Sequence, residues 1–128
     1  NVLLNVGPRV DAQLDPAQAG RLKSIGAWLE TKGQAIQDTR PVALPHKSVD
    51  RINIGATRNA DTLYLHLFGK PGLGTLEVQL PAGLGTVTSL EQLGGEVGGW
   101  SIDQSTLRLT INEWADEAVQ IFKLGLSV

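Results

Sequence analysis

Four stretches of strict period-two alternation constrain this chain more than any other feature. Ile52, Ile54 and Ala56 alternate with Asn53, Gly55 and Thr57, and Leu63, Leu65 and Leu67 alternate with Tyr64, His66 and Phe68. Leu76, Val78 and Leu80 stand two apart, as do Leu107, Leu109 and Ile111. Successive side chains of a strand point to opposite faces, so each run presents an apolar face that a second layer must cover. Turn residues separate the runs: Asn59-Ala60-Asp61, Gly69-Lys70-Pro71-Gly72, Pro81 and the glycine-rich residues 94–99. Shorter candidates at 87–90 and 100–102 and a closing run at 119–124 complete the series. Roughly seven short strands with turn signals and no helical pattern among them imply an antiparallel β-sandwich over residues 39–128. Pro41 and Pro45 mark an extended linker leading into it.

The first 38 residues read differently. Val2, Leu3, Leu4 and Val6 are apolar on both faces, the pattern of a strand in a parallel sheet covered by helices, and Gly7-Pro8 ends it. Asp15-Pro16-Ala17-Gln18 is a helix start, with a capping Asp, a proline at the first helical position and Gln three residues after the cap. Leu22, Ile25, Gly26 and Leu29 then form one apolar stripe with Trp28 at its edge. Glu30 and Lys32 face away from it, and Gly33 is placed to end the helix. One strand–helix unit cannot bury its own strand. With no methionine at residue 1, the chain reads as a processed protein or a piece of something longer.

Composition narrows the chemistry. The formal net charge is −2 and there is no cationic run, so neither nucleic acid nor an acidic membrane surface is an expected partner. No apolar run approaches the roughly 20 residues needed to span a bilayer, and residues 1–6 lack the basic leader of a signal peptide. Cysteine is absent, which removes disulfides, a thiol nucleophile and Cys-ligated metals. His46 and His66 have no second ligand nearby and no HExxH pattern, so no metal and no cofactor are expected, and His66 reads as structural, on the outer face or in a packed seam. No G-x-S-x-G exists for a serine nucleophile, and the glycine-rich loops lack the strand-to-helix setting that cradles phosphate. The thirteen Asp and Glu residues fall at caps, turns and strand faces, such as Asp15, Asp61 and Asp116-Glu117, and none forms a catalytic signature.

Two sets of candidates remain. Trp100 and Trp114 either stack on the apolar face of a sugar or cover a sandwich edge, whereas Trp28 packs. In a β/α barrel the loop after a strand lies on the face that carries the active site. Asn5, Arg9 and Asp11 would then lie near that face; alternatively, Asp11 and Gly7-Pro8 only shape the loop.

The segment NVLLNVGPRVDAQLDPAQAGRLKSIGAWLETKGQAIQDTRP resembles the end of the catalytic barrel in α-L-fucosidases of glycoside hydrolase family 29. Asn1, Leu3, Leu4, Asn5, Gly7, Pro8, Asp11 and Pro16 match that family's pattern in order, followed by Arg21, Leu22, Ile25, Gly26, Trp28, Leu29, Gly33, Ala35, Ile36 and Thr39. Ala12 stands where the family has Gly, Lys32 where it has Asn, Gln34 where it has Glu and Gln37 where it has Tyr. ATRNADTLYLHLFGKP, VTSLEQLG and LRLTI resemble the family's C-terminal sandwich in similar order. The resemblance implies residues 1–38 as the last β/α unit of a (β/α)8 barrel and residues 39–128 as a C-terminal β-sandwich. It implies a parent enzyme that removes terminal α-L-fucose from glycans with retention, using an Asp nucleophile and a carboxylic acid/base. Both carboxylates belong upstream of the final barrel strand, so no catalytic residue is assigned here. The remaining barrel, in the same or another chain, is the implied partner, and a secreted, periplasmic or lysosomal setting is the implied location.

Overall fold

The computed structural model describes residues 7–70, 72–113 and 119–127. The strand expected over residues 1–6 and the loop at Asp116-Glu117 lie outside them. The first described element of regular structure is a helix, α1 (Pro16–Lys32), which runs into a 3₁₀ turn at Gly33–Ala35. Nine strands follow among the described residues: β1 (Arg40–Val42), β2 (Ser48–Val49), β3 (Ile52–Asn59), β4 (Thr62–Leu67), β5 (Gly74–Gln79), β6 (Thr86–Gln92), β7 (Gly99–Asp103), β8 (Thr106–Ile111) and β9 (Gln120–Ser127). The larger sheet runs β1-β3-β4-β9-β6, with β2 added to β3, and the smaller runs β5-β8-β7. Each strand pairing is antiparallel. The mainly β architecture expected from the alternation, two sheets and one preceding helix, is the one observed.

The alternation decides which side chains meet. Leu63 and Leu65 of β4 lie opposite Leu124 and Phe122 of β9, all fully buried. Leu76 and Val78 of β5, with Leu107, Leu109 and Ile111 of β8, supply the opposing layer of the same core. β4 is central to the larger sheet, and five of its six residues are buried. Its outer face carries Tyr64 and His66, which join Ala35 and Ile121 beneath the turn that follows α1. The larger sheet is therefore covered on both sides around β4 and β9.

α1 starts as its sequence dictates. Asp15 caps it, its Oδ1 accepting the Ala17 amide at 2.8 Å, and Pro16 occupies the first turn, where its missing N–H costs nothing.

Three local expectations are corrected. The α-helix does end before Gly33, its C-cap, but not through the left-handed conformation of a terminating glycine: the Gly33 φ is −59° and the chain continues into the 3₁₀ turn, with a positive φ of 56° only at Asp38. Lys32 does not face solvent but is 1% exposed: it stands three residues after Leu29 and seven after Ile25, on the flank of the apolar stripe that meets the sheet, while Glu30 and Thr31 stay exposed. Its long aliphatic stem suits that setting, and its Cε lies where a Cβ on Gly94 would come within 3.3 Å. The segment around Pro41 is not only linker: Arg40–Val42 pairs with β3 as an edge strand, where a residue without an N–H is tolerated.

Truncating Phe122, at 0% exposure in the centre of the core, should have a large effect. Phe122→Ala is expected to cost about 3–5 kcal/mol, read as a lower urea midpoint. Leu73→Ala, at a side chain 65% exposed, should change stability by less than about 0.5 kcal/mol.

Candidate functional site

The loop over residues 7–14 is a compact turn. Pro8 and Leu14 form an isolated antiparallel bridge, the Arg9 amide donates to the Gln13 carbonyl at 2.6 Å, and the Ala12 amide donates to the Arg9 carbonyl at 2.8 Å. Asp11 Oδ1 accepts the Gln13 amide at 3.2 Å, the local side-chain-to-backbone contact by which Asp shapes turns. Ala12 sits at φ 64°, a left-handed conformation that suits glycine, which the fucosidase pattern carries at this position. Arg9, Val10 and Asp11 are exposed around one shallow depression. The structure thus brings Arg9 and Asp11 together, and Asp11 takes part in shaping the loop. Asn5 lies outside the described residues.

Trp100 sits far from that loop in sequence, on β7, the outer strand of the smaller sheet. It lies opposite the buried Leu109 and so shares the inner face of the sheet, yet it is 38% exposed because the core ends there. It borders a cleft of about 450 Å³. Trp114, the other tryptophan candidate, lies outside the described residues.

The most ordered polar arrangement lies on the outer face of β3 and β4. His66 Nε2 is 2.9 Å from Thr57 Oγ1, and the Thr57 hydroxyl donates to the Ala35 carbonyl. With its single proton committed, the hydroxyl oxygen accepts from His66, so Nε2 carries a proton, and in the neutral ring this is the Nε2–H tautomer. Burial holds the His66 pKa below its ordinary value, opposed in part by the hydrogen bond with the Ala35 carbonyl. The ring stacks on Phe68 at 6.5 Å between centroids. Beside it the Tyr64 hydroxyl donates to Gln34 Oε1 at 3.2 Å. Burial, then the carboxylates of Asp61 and Glu91, push the Tyr64 phenol up from its ordinary value, so it remains a neutral donor. Thr57, Tyr64 and His66 together hold the 3₁₀ turn against the sheet. The sequence leaves His66 on an outer face or in a packed seam; it lies in a seam. Nothing local in the sequence points to Thr57 and Gln34, whose partners are 22 and 30 residues away.

Elsewhere the carboxylates serve structure or sit in solvent: Asp15 caps α1, and Glu77 pairs with Arg108 at 3.0 Å on the surface. Among the described residues no three His, Cys, Asp or Glu side chains converge as a metal site, and no helix is long and apolar enough to cross a membrane.

Comparison with known proteins places these features in a class. The chain has the fold of a β-rich portion of glycosidase structures. It superposes on α-L-fucosidase isoenzyme 1 from Paenibacillus thiaminolyticus with a TM-score of 0.76 at 24% identity, over 100% of this chain and 31% of that one. For the Thermotoga maritima α-fucosidase the TM-score is 0.71 at 23% identity, over 97% of this chain and 30% of that one. A family 29 α-L-fucosidase from Bacteroides thetaiotaomicron, trapped as a covalent intermediate, gives 0.75 at 20% identity over 97% of this chain and 28% of that one. Sequence relatives name the kind of glycosidase. An α-L-fucosidase of Branchiostoma floridae is 31% identical over 88 residues, 69% of this chain and 19% of that protein. The human tissue α-L-fucosidase is 30% identical over 105 residues, 80% of this chain and 22% of that protein. The expected kinship with the α-L-fucosidases is borne out, and the chain spans about a fifth of the length of the curated relatives it matches. No protein-family model matches the chain.

Two outcomes follow from the geometry. Because the folded pKa of His66 lies below its unfolded value of 6.5, the unfolded chain binds more protons as pH falls. The His66 contribution is complete above that value and is lost as pH falls below it. Lowering the pH from about 7.5 to about 5 should therefore reduce the thermal midpoint, and His66→Gln should flatten that dependence. Ala12→Gly should relieve about 1 kcal/mol of left-handed strain, read as slower hydrogen exchange at the Arg9 amide.

Proposed function

We propose that this chain is the C-terminal part of a retaining α-L-fucosidase, with residues 1–38 supplying the last β/α unit of the catalytic barrel and residues 39–128 the sandwich behind it. The piece itself is non-catalytic and braces the barrel. The enzyme acts on terminal α-L-fucose of glycans, and the barrel, in this or another chain, is the partner that completes it. The observation that carries this reading is the sequence kinship with α-L-fucosidases over 69–87% of this chain but only 19–24% of those proteins.

The packing of α1 supports a bracing role. Leu22, Ile25, Trp28 and Leu29 are each only half-buried, so the stripe keeps apolar surface to offer another layer. The turn at the end of the same helix is tied to the sheet through Thr57, Tyr64 and His66. A helix clamped at one end and apolar along its flank suits a brace. Retention requires two carboxyl groups about 5 Å apart across the scissile bond, and in this reading both reside in the upstream barrel.

The test is an assay of the purified chain with nitrophenyl α-L-fucoside, beside the longer polypeptide encoded with its upstream reading frame. The chain alone should release no nitrophenol above the buffer rate, and the longer protein should release it readily. Hydrolysis by the chain alone would remove the non-catalytic assignment, and an upstream frame encoding no barrel would remove the parentage.

A further inference from the structure

The two sheets end unevenly on one side. β6 and β7 are each one of the two outer strands of their sheets, and residues of both line the cleft beside Trp100. Trp100 and Ile102 sit on the inner face of the smaller sheet, opposite Leu109 and Leu107. Leu84 and Val87 approach from the β5–β6 connection and from β6, while Thr86, Gln104 and Ser105 add neutral polar groups. At about 450 Å³ the cleft falls within the range of roughly 300–1,000 Å³ typical of small-molecule pockets.

The chemistry of this lining is selective. None of the described residues that line it is charged, so nothing there rewards a phosphate or a carboxylate. One indole is 38% exposed, and hydroxyl and amide groups stand around it. A flat apolar surface ringed by neutral donors and acceptors matches a ligand with one C–H face and several hydroxyls. We infer that the Trp100 cleft binds a neutral saccharide, with a pyranose ring stacked on the indole and its hydroxyls directed to Thr86, Gln104 and Ser105. Binding at this site is a property of the residues of this chain and requires no hydrolysis.

The experiment follows the Trp100 indole N–H, and in the Trp100 variants the backbone amides of Thr86, Ile102, Gln104 and Ser105 that line the same cleft, in ¹⁵N-labelled chain titrated with lactose, L-fucose and 2′-fucosyllactose, with inorganic phosphate as the charged control. A saturable shift is expected with at least one sugar and none with phosphate. Trp100→Ala should weaken binding roughly tenfold or more, by loss of the stacking face. Trp100→Phe, which keeps an aromatic face, should retain saturable binding, and Gln104→Ala should weaken it without altering the dispersed spectrum of the fold. No saturable shift with any sugar at tens of millimolar would overturn the inference. So would a shift that survives Trp100→Ala, or backbone shifts confined to β6 and β7 on adding an extended peptide while sugars leave the indole unmoved. The fucoside assay reads the parentage separately, so either reading can fail while the other stands.

Discussion

The rest of the structure depends on the covering of β4. Its inner face inserts Leu63, Leu65 and Leu67 into the core between the sheets. Its outer face cannot be left to water, since Tyr64 and His66 are 5% and 7% exposed and Ile121 beside them on β9 is fully buried. The cover is the short turn at Gly33–Ala35, and what holds it is a relay from His66 through Thr57 to the Ala35 carbonyl. Each such bond contributes only about 1 kcal/mol net, but an unsatisfied polar group in that seam would cost about 1–3 kcal/mol. The relay therefore fixes where the turn must sit as much as how strongly it binds. Helix α1, which runs into that turn, inherits its placement from the seam.

α1 is the first element to inherit it. The helix is well started by Asp15 and Pro16 and firmly ended at the sheet, with Lys32, Gly33 and Ala35 all enclosed. Between those ends its apolar stripe is only half-buried. A helix of this length draws most of its stability from packing of one face, so a half-covered stripe joined to a rigid sandwich is an arrangement suited to carrying a further layer. The proposed parentage in a longer α-L-fucosidase supplies a reason for such a layer to exist.

Much of this was readable from the residues alone. Alternation placed the core leucines of β4, β5 and β8, because period two leaves little freedom once one face is buried. The helix start was legible for an equally local reason. What closes the seam was not, because Tyr64 and His66 share an outer strand face whose cover comes from the chain 30 residues earlier. Lys32 misled for another reason: its charge suggests solvent, although its spacing from Ile25 and Leu29 puts it on the flank of the stripe, where the sheet encloses it. Ala12 is a different case. Its left-handed backbone explains a glycine in the family pattern, yet alanine gives no hint of that conformation. Trp100 was visible as an aromatic of two possible uses, and its place at the open side of the sandwich became clear only from the pairing of β7 with β8.

Native-state hydrogen exchange tests the central claim, that the turn after α1 is part of the sandwich and not of the helix. The Ile36 and Gln37 amides both donate to the Gly33 carbonyl, so they report on the turn itself. They should exchange in the same cooperative step as the amides of Leu65 and Phe122, at the free energy of global unfolding, while amides in the middle of α1 exchange through smaller openings. Exchange of Ile36 and Gln37 together with the helix, while Leu65 and Phe122 remain protected, would contradict it.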